Sequence, residues 1–448
     1  MLVRIREKTM IRTSGLLMLA LLLAACGDSS EPPVESGAAA EPAAVALPGA
    51  GAVAYTDANI WSGTGAAALH NAVLVVRDGR IESVSTEAAP EGAEIVALDG
   101  QWIVPGFINA HGHISGRWAA DEIQGDAARA AADLALYARY GVTTVLSLGG
   151  APNGAFGIRA AQDSPSLDRA RLLLAGPPVF SQDPAEAAAM THANIDAGVD
   201  WIKLRVDDNL GVVEKMSWDA LAAALRVAKE ANVPVATHIF YMDDAAKLLE
   251  MGSGLIAHSV RDQEVSDEFV QAMLDSGVCY VPTLVREVST FVYGERPAFF
   301  DDPFFLEAAK QSEIDRVNDP EFMARMAANP SAAVYRKALV QAQENLRVMV
   351  RSGVPVAFGT DSGPAGRFPG YFEHMEFDLM SEAGLTARQI LLSATSVAAS
   401  CLQLDDVGTL EPGKWADFVV IAQNPLADVS ALHSIKSVYV AGNAVARN

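Results

Sequence analysis

The sequence predicts an α/β fold, a (β/α)8 TIM barrel accompanied by a small β-sandwich domain that both chain ends build. Three observations lead to this prediction. Short apolar segments alternate with helix-like segments through the middle of the 448-residue chain, which is typical of a parallel sheet covered by helices. Eight such strand candidates can be counted, the number that closes a barrel. Alternating, half-buried strand patterns occur only near the two ends of the chain.

The barrel strands are short and mostly apolar, and several follow a glycine that would end the preceding helix. The predicted strands are Ile103–Asn109, Thr143–Leu148, Arg171–Gly176, Trp201–Val206, Pro234–Ile239, Leu255–Ser259, Val278–Leu284 and Pro355–Thr360. The stretch from Phe291 to Val350 is too long for one crossover connection, so we expect extra helices there, near the barrel mouth. The barrel is expected to span residues 104–407.

The two ends of the chain carry the strands assigned to the sandwich. Asn71–Val84 reads as a hairpin, because the pair Asp78-Gly79 tolerates the positive φ of a tight turn. Ala416–Ala422 and Ser437–Val445 show similar strand patterns near the other end. We therefore expect residues 51–103 and 408–448 to form one composite β-sandwich.

The N-terminus has the composition of a secretory signal, expected over residues 1–25. Four basic residues up to Arg12 precede the apolar run Leu16–Leu23, which is too short to span a membrane. The run ends in Leu23-Ala24-Ala25-Cys26, which resembles the bacterial lipobox and implies lipidation of Cys26. The alternatives are a soluble signal with an incidental cysteine or an apolar helix of the core, and translation starts at Met1 or Met10.

The residues after this signal predict how the protein is attached and where it resides. Residues 26–50 are rich in Ala, Pro and Glu and read as a disordered tether. The expected location is the cell envelope, with the lipid-anchored protein on the periplasmic side of the inner or the outer membrane. A formal net charge of −22 argues against nucleic acid or anionic membrane surfaces as partners. The anchor is therefore the expected membrane contact, and a homo-oligomer is left open.

Two further cysteines, Cys279 and Cys401, lie in a predicted strand and a predicted helix. Both are read as small buried apolar residues without a disulfide role.

Candidate metal ligands lie at the carboxyl ends of the predicted strands, where barrels place their active sites. His111 and His113 point to the same side of an extended chain and can reach one cation. A lone pair of this kind is more often structural, but four of the eight histidines occupy strand ends. The predicted constellation is His111, His113, Lys203, His238, His258 and Asp361.

In that order on successive strands, these residues resemble the binuclear metal branch of the amidohydrolase superfamily, and within it the subgroup of Xaa-Pro dipeptidases and imidazolonepropionase-like enzymes. The resemblance extends from about Ala52 to the end of the chain. It includes the run from Val104 to His111 and the stretch from Gly408 to Pro425. Gly112 departs from the bulkier residue often found between the two histidines.

The resemblance implies two divalent ions, with zinc best suited to imidazole ligands and manganese, cobalt or nickel also compatible. It implies that CO2 converts Lys203 into a carbamate that bridges both ions; the alternative is an ordinary lysine packed in its strand. His111, His113 and Asp361 would then hold one ion, and His238 and His258 the other. A hydroxide bridging the ions would attack the substrate carbonyl, with Asp361 as general base and acid.

Several residues near the strand ends are candidates for substrate binding. Arg205, Arg261 and Arg286 could each pair with a substrate carboxylate, although an arginine at such a position is more often a surface or structural residue. Tyr241 follows His238 and could contact the substrate or a tetrahedral oxyanion; the alternative is that it only packs in its loop. The last candidate, His374, begins the segment after the eighth strand.

The sequence thus predicts a metal-dependent enzyme that cleaves an amide or peptide bond, with a dipeptide or an N-acyl amino acid as substrate. One alternative is hydrolysis of a cyclic amide, a lactone or a phosphotriester at the same site. Another is a lipoprotein binding module that retains an inactive hydrolase barrel.

Overall fold

The computed structural model describes residues 51–446. The predicted signal peptide, the tether and Cys26 lie outside these residues. The strands are β1 Ala52–Ile60, β2 Leu69–Arg77, β3 Arg80–Ser85, β4 Glu94–Ala97, β5 Trp102–Pro105, β6 Phe107–Gly112, β7 Val142–Leu148, β8 Arg171–Ala175, β9 Ile202–Arg205, β10 Val235–His238, β11 Leu255–Ala257, β12 Cys279–Val281, β13 Phe418–Ile421, β14 Ile435–Val440 and β15 Asn443–Ala444.

Helices connect most of the parallel strands. They are α1 Asp126–Arg139, α2 Gly154–Ala160, α3 Pro184–Asp196, α4 Trp218–Glu230, α5 Met242–Met251, α6 Asp267–Ser276, α7 Leu284–Val288, α8 Pro303–Leu306, α9 Gln311–Val317, α10 Pro320–Ala327, α11 Ala332–Ser352, α12 Tyr371–Glu382, α13 Ala387–Ser393 and α14 Ser396–Cys401. Short 3-10 helices occupy Val292–Gly294, Ala298–Asp301 and Val429–Ser434. Within residues 51–446, no helix combines the length and the apolar character needed to cross a membrane.

Both ends of the described chain contribute to one eight-stranded sheet. Its order is β15-β14-β13-β5-β1-β2-β3, with β4 paired to β1. The predicted hairpin is present, since β2 and β3 pair antiparallel and the turn residues Asp78 and Gly79 have φ values of 50° and 78°. The prediction that the two ends meet is therefore confirmed at the level of a shared sheet.

The first predicted barrel strand is in fact two strands, β5 and β6, separated by Gly106. β5 pairs with β1 and β13 in the shared sheet, whereas β6 pairs with β7. A side chain at position 106 would place its Cβ only 2.1 Å from Oγ1 of Thr143. The chain thus passes from one sheet to the other where only glycine fits, and His111 falls within β6 instead of after it.

The remaining strands form two parallel sheets with the orders β6-β7-β8 and β12-β11-β10-β9. An isolated parallel bridge between Ala175 and Trp201 joins β8 to the start of the β9 segment. The predicted eighth strand is not assigned as a strand, but its backbone bonds on both sides. Tyr280 of β12 donates to the carbonyl of Pro355, and Ala110 of β6 donates to the carbonyl of Phe358. The predicted segments therefore lie side by side in chain order.

The long insertion between β12 and the eighth segment contains extra helices, as predicted. Its phenylalanines are packed against one another and against the segment before α12. The ring centroids of Phe299 and Phe305 are 5.1 Å apart, and those of Phe305 and Phe368 are 4.9 Å apart. Lys310 ties the insertion to the loop after β6, because its Nζ donates to the carbonyl of Ala119 and to the carboxylate of Asp121.

The expectation that the two cysteines have no disulfide role is wrong. Cys279 at the start of β12 and Cys401 at the end of α14 are joined by a disulfide, with their Cα atoms 5.9 Å apart. Both are buried, as predicted. The two residues are 122 positions apart, so their spacing gave no signal, and only the fold of the intervening segment brings them together.

Candidate metal centre

The predicted ligands lie at the carboxyl ends of the parallel strands. His111 lies in β6, Lys203 in β9 and His238 at the last position of β10. His258 directly follows β11, and Asp361 directly follows the eighth segment. Parallel strands bring their carboxyl ends to one edge, so side chains that are far apart in sequence converge there.

Three of these residues form a compact, buried donor set. The nearest ligand atoms of His111, His258 and Asp361 all lie within 4.8 Å of one another. Nε2 of His111 is 3.6 Å from Oδ1 of Asp361. Two imidazole nitrogens and a carboxylate oxygen are suitable donors for zinc and similar divalent ions.

Polar atoms of this set are buried without a partner among residues 51–446. Nδ1 of His111 and Nε2 of His258 have no hydrogen bond there. The other nitrogen of His258, Nδ1, lies 2.7 Å from Oγ1 of Thr283. Burial, followed by neighbouring positive groups, holds the pKa of both histidines well below the ordinary value. They are therefore neutral, with electron pairs available for a cation.

His113 gives a second indication of a cation. Its Nδ1 lies 2.8 Å from the carbonyl oxygen of Gly149, which can only accept, so this nitrogen carries the hydrogen. The opposite nitrogen, Nε2, faces Oδ1 of Asp361 at 2.8 Å. In a neutral imidazole of this tautomer both facing atoms bear electron pairs, and such an arrangement needs a proton or a metal ion between them.

Asp361 is held as an anion at this position. Burial alone would raise the pKa of its carboxyl group, but Arg367 and the two histidines outweigh burial and keep it well below the ordinary value. Nη1 of Arg367 donates to Oδ2 of Asp361, which leaves Oδ1 to face the histidines.

Lys203 is buried beside these ligands, with its Nζ 3.3 Å from Nε2 of His111. Burial lowers the pKa of Lys203 to about 7, opposed by Asp361 and assisted by Arg205. At neutral pH a lysine with this pKa is roughly half in the neutral amine form, the form that reacts with CO2.

His238 contacts a carboxylate beside the candidate centre. Its Nε2 lies 2.9 Å from Oδ2 of Asp207, although its ring centroid is only 4.1 Å from that of His258. Burial lowers the pKa of His238 to about 3, despite the opposing effect of Asp207. The structure thus brings His238 to the site but commits its Nε2 to a carboxylate.

Three residues at or beside the site have left-handed backbone conformations. His258, Thr283 and Asp361 have φ values of 75°, 48° and 58°. These left-handed conformations are uncommon for residues other than glycine, cost about 1–3 kcal/mol each, and occur preferentially at functional sites.

The geometry agrees with what comparisons with known proteins show. The sequence model of the amidohydrolase family matches residues 102–445, most of the chain. The chain belongs to the amidohydrolase family. An imidazolonepropionase of Deinococcus radiodurans is 24% identical over 405 residues, covering 84% of this chain and 92% of that protein.

Solved structures agree with this assignment. A Bifidobacterium longum protein assigned as a prolidase is 25% identical, with a TM-score of 0.70 and coverage of 89% of this chain and 95% of that one. A Xaa-Pro dipeptidase with bound methionine in its active site has a TM-score of 0.68 at 21% identity, covering 88% and 99% of the two chains. The resemblance stated from the sequence is confirmed, and the protein is a hydrolase that acts on carbon–nitrogen bonds.

Gly112, which departs from the common pattern of the amidohydrolase superfamily, has a local packing reason. A Cβ at this position would lie 2.9 Å from Cγ1 of Val145 and 3.0 Å from the hydroxyl of Tyr137. These side chains occupy the space that a larger residue would need. The absence of a side chain therefore leaves the two flanking histidines undisturbed.

A buried polar network fixes two strand ends of the amidohydrolase relative to each other. Oε1 of Glu373 accepts hydrogen bonds from Asn109 and Thr360 at 2.6 and 2.7 Å, and from the hydroxyl of Ser362. The side-chain oxygen of Asn109 accepts from the backbone N–H of His111. Glu373 in α12 thereby joins β6 to the segment around Asp361.

The structure separates the candidate substrate-binding residues. Arg205 remains at the end of β9, on the same face as Lys203, and its buried Nε has no partner among the described residues. The hydroxyl of Tyr241 donates to Asp208, at the start of the loop after β9. Arg286 occupies the first turn of α7, directly after β12.

The side chain of His374 does not line the pocket as the sequence suggested. It is fully buried in α12, its Nε2 lies 2.9 Å from the carbonyl oxygen of Tyr140, and its ring packs against Phe107 and Phe304. The predicted position after the eighth segment was right, but the side chain faces the packed aromatic interior. We therefore do not retain it as a substrate-binding residue.

Sequence reasoning missed Asp207, Arg367 and Glu373. Asp207 had a detectable signal, because Lys203, Arg205 and Asp207 alternate along one face of an extended chain. Arg367 and Glu373 follow Asp361 within a loop and a helix start, where no periodicity indicates the direction of a side chain.

Proposed function

We propose that this protein is a metal-dependent amidohydrolase that cleaves the amide or peptide bond of a small molecule such as a dipeptide or an N-acyl amino acid. The observation that carries the proposal is the buried set of His111, His258 and Asp361, whose donor atoms converge within 4.8 Å. The proposal includes a closed (β/α)8 barrel, supported by backbone bonding of the eighth segment to β12 and β6. It also includes a terminal β-sandwich, supported by the sheet shared between the chain ends.

The residues present fit two divalent ions. His111, His113 and Asp361 would hold one ion, and His238 and His258 the other, with Lys203 between them as a carbamate. The unpartnered Nε2 of His258 supports this assignment, as does the position of His111 Nε2, 3.6 Å from Oδ1 of Asp361. Participation of His238 requires that its contact with Asp207 be exchanged or shared. Zinc is the expected metal, given the predominance of imidazole donors.

Divalent ions at this position would lower the pKa of a bound water towards roughly 7 and polarise the substrate carbonyl. Asp361 would take up the proton on Oδ1 and deliver it to the leaving nitrogen. Arg367 holds Oδ2 of this carboxylate and so keeps Oδ1 directed at the reacting groups. The low exposure of His111, His258 and Asp361 limits bulk water around the proton transfer.

Two classes of substrate have support from relatives. The resemblance to a Xaa-Pro dipeptidase and to a protein assigned as a prolidase favours a linear peptide bond. The resemblance to an imidazolonepropionase supports, as second candidate, hydrolysis of a cyclic amide. A protein exported to the cell envelope would meet peptides, so we favour the linear substrates.

Turnover of a substrate panel tests this proposal. Zinc-loaded protein is assayed with dipeptides, N-acyl amino acids, cyclic amides and lactones, with Asp361→Asn as the inactive control. Activity on dipeptides or N-acyl amino acids supports the proposal. Activity confined to cyclic amides selects the second candidate, and activity confined to lactones contradicts both.

We also propose that the protein is exported and held at the envelope by a lipid on Cys26. The disulfide between Cys279 and Cys401 supports export, because such bonds form and persist in oxidising compartments. Mass spectrometry of the native N-terminus measures the modification. A diacylated Cys26 is expected, and an unmodified chain beginning upstream of it would contradict the proposal.

A further inference from the structure

A buried carboxylate, Asp207, lies beside one of the proposed metal ligands. It is 1% exposed and follows the last residue of β9 by two positions. That last residue, Arg205, is paired in the parallel register with His238 at the end of β10. The chain beyond β9 therefore brings Asp207 to His238, and Oδ2 of Asp207 lies 2.9 Å from Nε2 of the histidine.

The carboxylate of Asp207 is held in place independently of His238. Its Oδ1 accepts a hydrogen bond from the backbone N–H of Asn209 at 2.9 Å. Asn209 has a φ of 53°, a left-handed conformation that asparagine tolerates better than most residues. The side-chain oxygen of Asn209 accepts from the hydroxyl of Tyr335 in α11 at 3.4 Å. The turn that carries Asp207 is thus closed by its own hydrogen bond and tied to a neighbouring helix.

The contact with Asp207 determines which nitrogen of His238 carries the hydrogen. An ionised carboxylate can only accept, so Nε2 of His238 must donate to Oδ2 of Asp207. A neutral imidazole has a single N–H group, and the opposite nitrogen, Nδ1, therefore keeps its electron pair. The side chain of His238 is 13% exposed, so few water molecules can compete for either nitrogen.

The neighbouring His258 shows the complementary arrangement. Its Nδ1 lies 2.7 Å from Oγ1 of Thr283, and its buried Nε2 has no hydrogen-bond partner among residues 51–446. The ring centroids of His238 and His258 are only 4.1 Å apart. Each ring is engaged at one nitrogen, which leaves the other for a cation. Metal-binding histidines commonly donate the N–H remote from the ion to a carboxylate or a carbonyl group.

We propose that Asp207 is a positioning residue for the second ion, because it holds His238 in the Nε2–H tautomer and so presents Nδ1 as the metal ligand. The inference rests on the proposed function and deepens it by stating how His238 serves a carboxylate and an ion at once. The histidine is shared between them, and its contact with Asp207 need not be exchanged. Asp207 acts through His238 and touches neither the ion nor the substrate.

The tautomer of His238 can be measured without metal and without catalysis. Long-range proton–nitrogen correlation spectra of metal-free protein with isotope-labelled histidine report which ring nitrogen carries the hydrogen, and His238→Gln identifies the signals. The wild type should show the Nε2–H tautomer. In Asp207→Asn, whose amide can donate as well as accept, signals of the Nδ1–H tautomer should appear. Asp208→Asn is the matched control and should behave as the wild type, because Asp208 accepts from Tyr241.

Zinc titration measures the consequence for the second ion. Competition with a chelator gives the two successive zinc affinities of the wild type, Asp207→Asn and Asp208→Asn. The second affinity should fall about 10- to 100-fold in Asp207→Asn, the usual loss when the partner of a metal-bound histidine is removed, and stay unchanged in Asp208→Asn. In a His238→Ala background, Asp207→Asn should not change zinc binding further, because its effect passes through the ring of His238.

The possible outcomes separate this inference from the proposed function. An Nδ1–H tautomer in the wild type, an unchanged second affinity in Asp207→Asn, or binding of one ion only by the wild type overturns the inference. An equal loss in Asp208→Asn also overturns it, because that pattern indicates a general disturbance of the loop. If the tautomer and the second affinity respond as expected but no amide is hydrolysed, the role of Asp207 stands and the proposed function fails.

Discussion

The disulfide between Cys279 and Cys401 makes a quantitative prediction about stability. The bond closes a loop of 122 residues between β12 and α14. In the chain-entropy model, a cross-link over this length removes enough freedom from the unfolded chain to stabilise the folded state by about 5 kcal/mol, while measured effects are about 2–5 kcal/mol. Replacing both cysteines by alanine should therefore lower the free energy of unfolding by roughly this amount.

Urea denaturation followed by circular dichroism measures the change. The oxidised wild type is compared with the Cys279→Ala/Cys401→Ala protein, each with and without a reducing agent. The reducing agent should destabilise the wild type and leave the double variant unchanged. Two titratable thiols in the untreated wild type, or equal midpoints for wild type and double variant, would refute the reasoning.

Three further predictions concern charged residues of the interior. Asp361→Asn should lower kcat by about 10²- to 10⁴-fold, the range expected for loss of a general acid–base group. The far-ultraviolet circular dichroism spectrum should stay unchanged, which shows that the fold is intact. A loss of kcat below tenfold would exclude the general acid–base role. Lys203→Ala should abolish activity, and added short carboxylic acids should partly restore it. Lys229→Ala, at an exposed position in α4, is the control and should retain wild-type activity. Full activity of Lys203→Ala would contradict the role of the carbamate. Burial raises the pKa of Glu376 from 4.5 to about 8 in the folded state. Between these two values the unfolded chain has released the proton of Glu376 and the folded protein still holds it. The free energy of unfolding should therefore fall as the pH rises from about 4.5 to 8. In urea unfolding measured across this pH range, Glu376→Gln should reduce the dependence of the unfolding free energy on pH. Glu382→Gln, at an exposed position, should leave it unchanged. The same pH dependence in both variants would contradict the raised pKa of Glu376.

Much of the framework could be predicted, because apolar runs and helix-ending glycines reflect local physical constraints. The alternation from Thr143 onwards gave the order of the parallel strands, and strand ends gave the positions of His258 and Asp361. The break at Gly106 was not predictable, since Phe107–Gly112 continues the same apolar run. It became visible only through the partners of β5 and β6 and the contact with Thr143.

The sites that depend on tertiary direction were harder to predict. The position of His374 after the eighth segment was anticipated, but the helical face it occupies depends on how α12 packs. Arg367 contacts Asp361 from a loop. A loop has no repeating pattern of apolar residues from which the direction of its side chains could be predicted. The partner of Cys279 likewise depends on long-range folding.

We propose that two divalent ions are held together by six ligands: His111, His113, Lys203, His238, His258 and Asp361. The most direct test is the metal content per chain after expression with zinc and bicarbonate. Inductively coupled plasma mass spectrometry measures this content. We predict two ions per chain in the wild type and a loss of bound metal in a His111→Ala/His258→Ala variant. A content of one ion or fewer per wild-type chain, or the same content in the variant, would contradict this proposal.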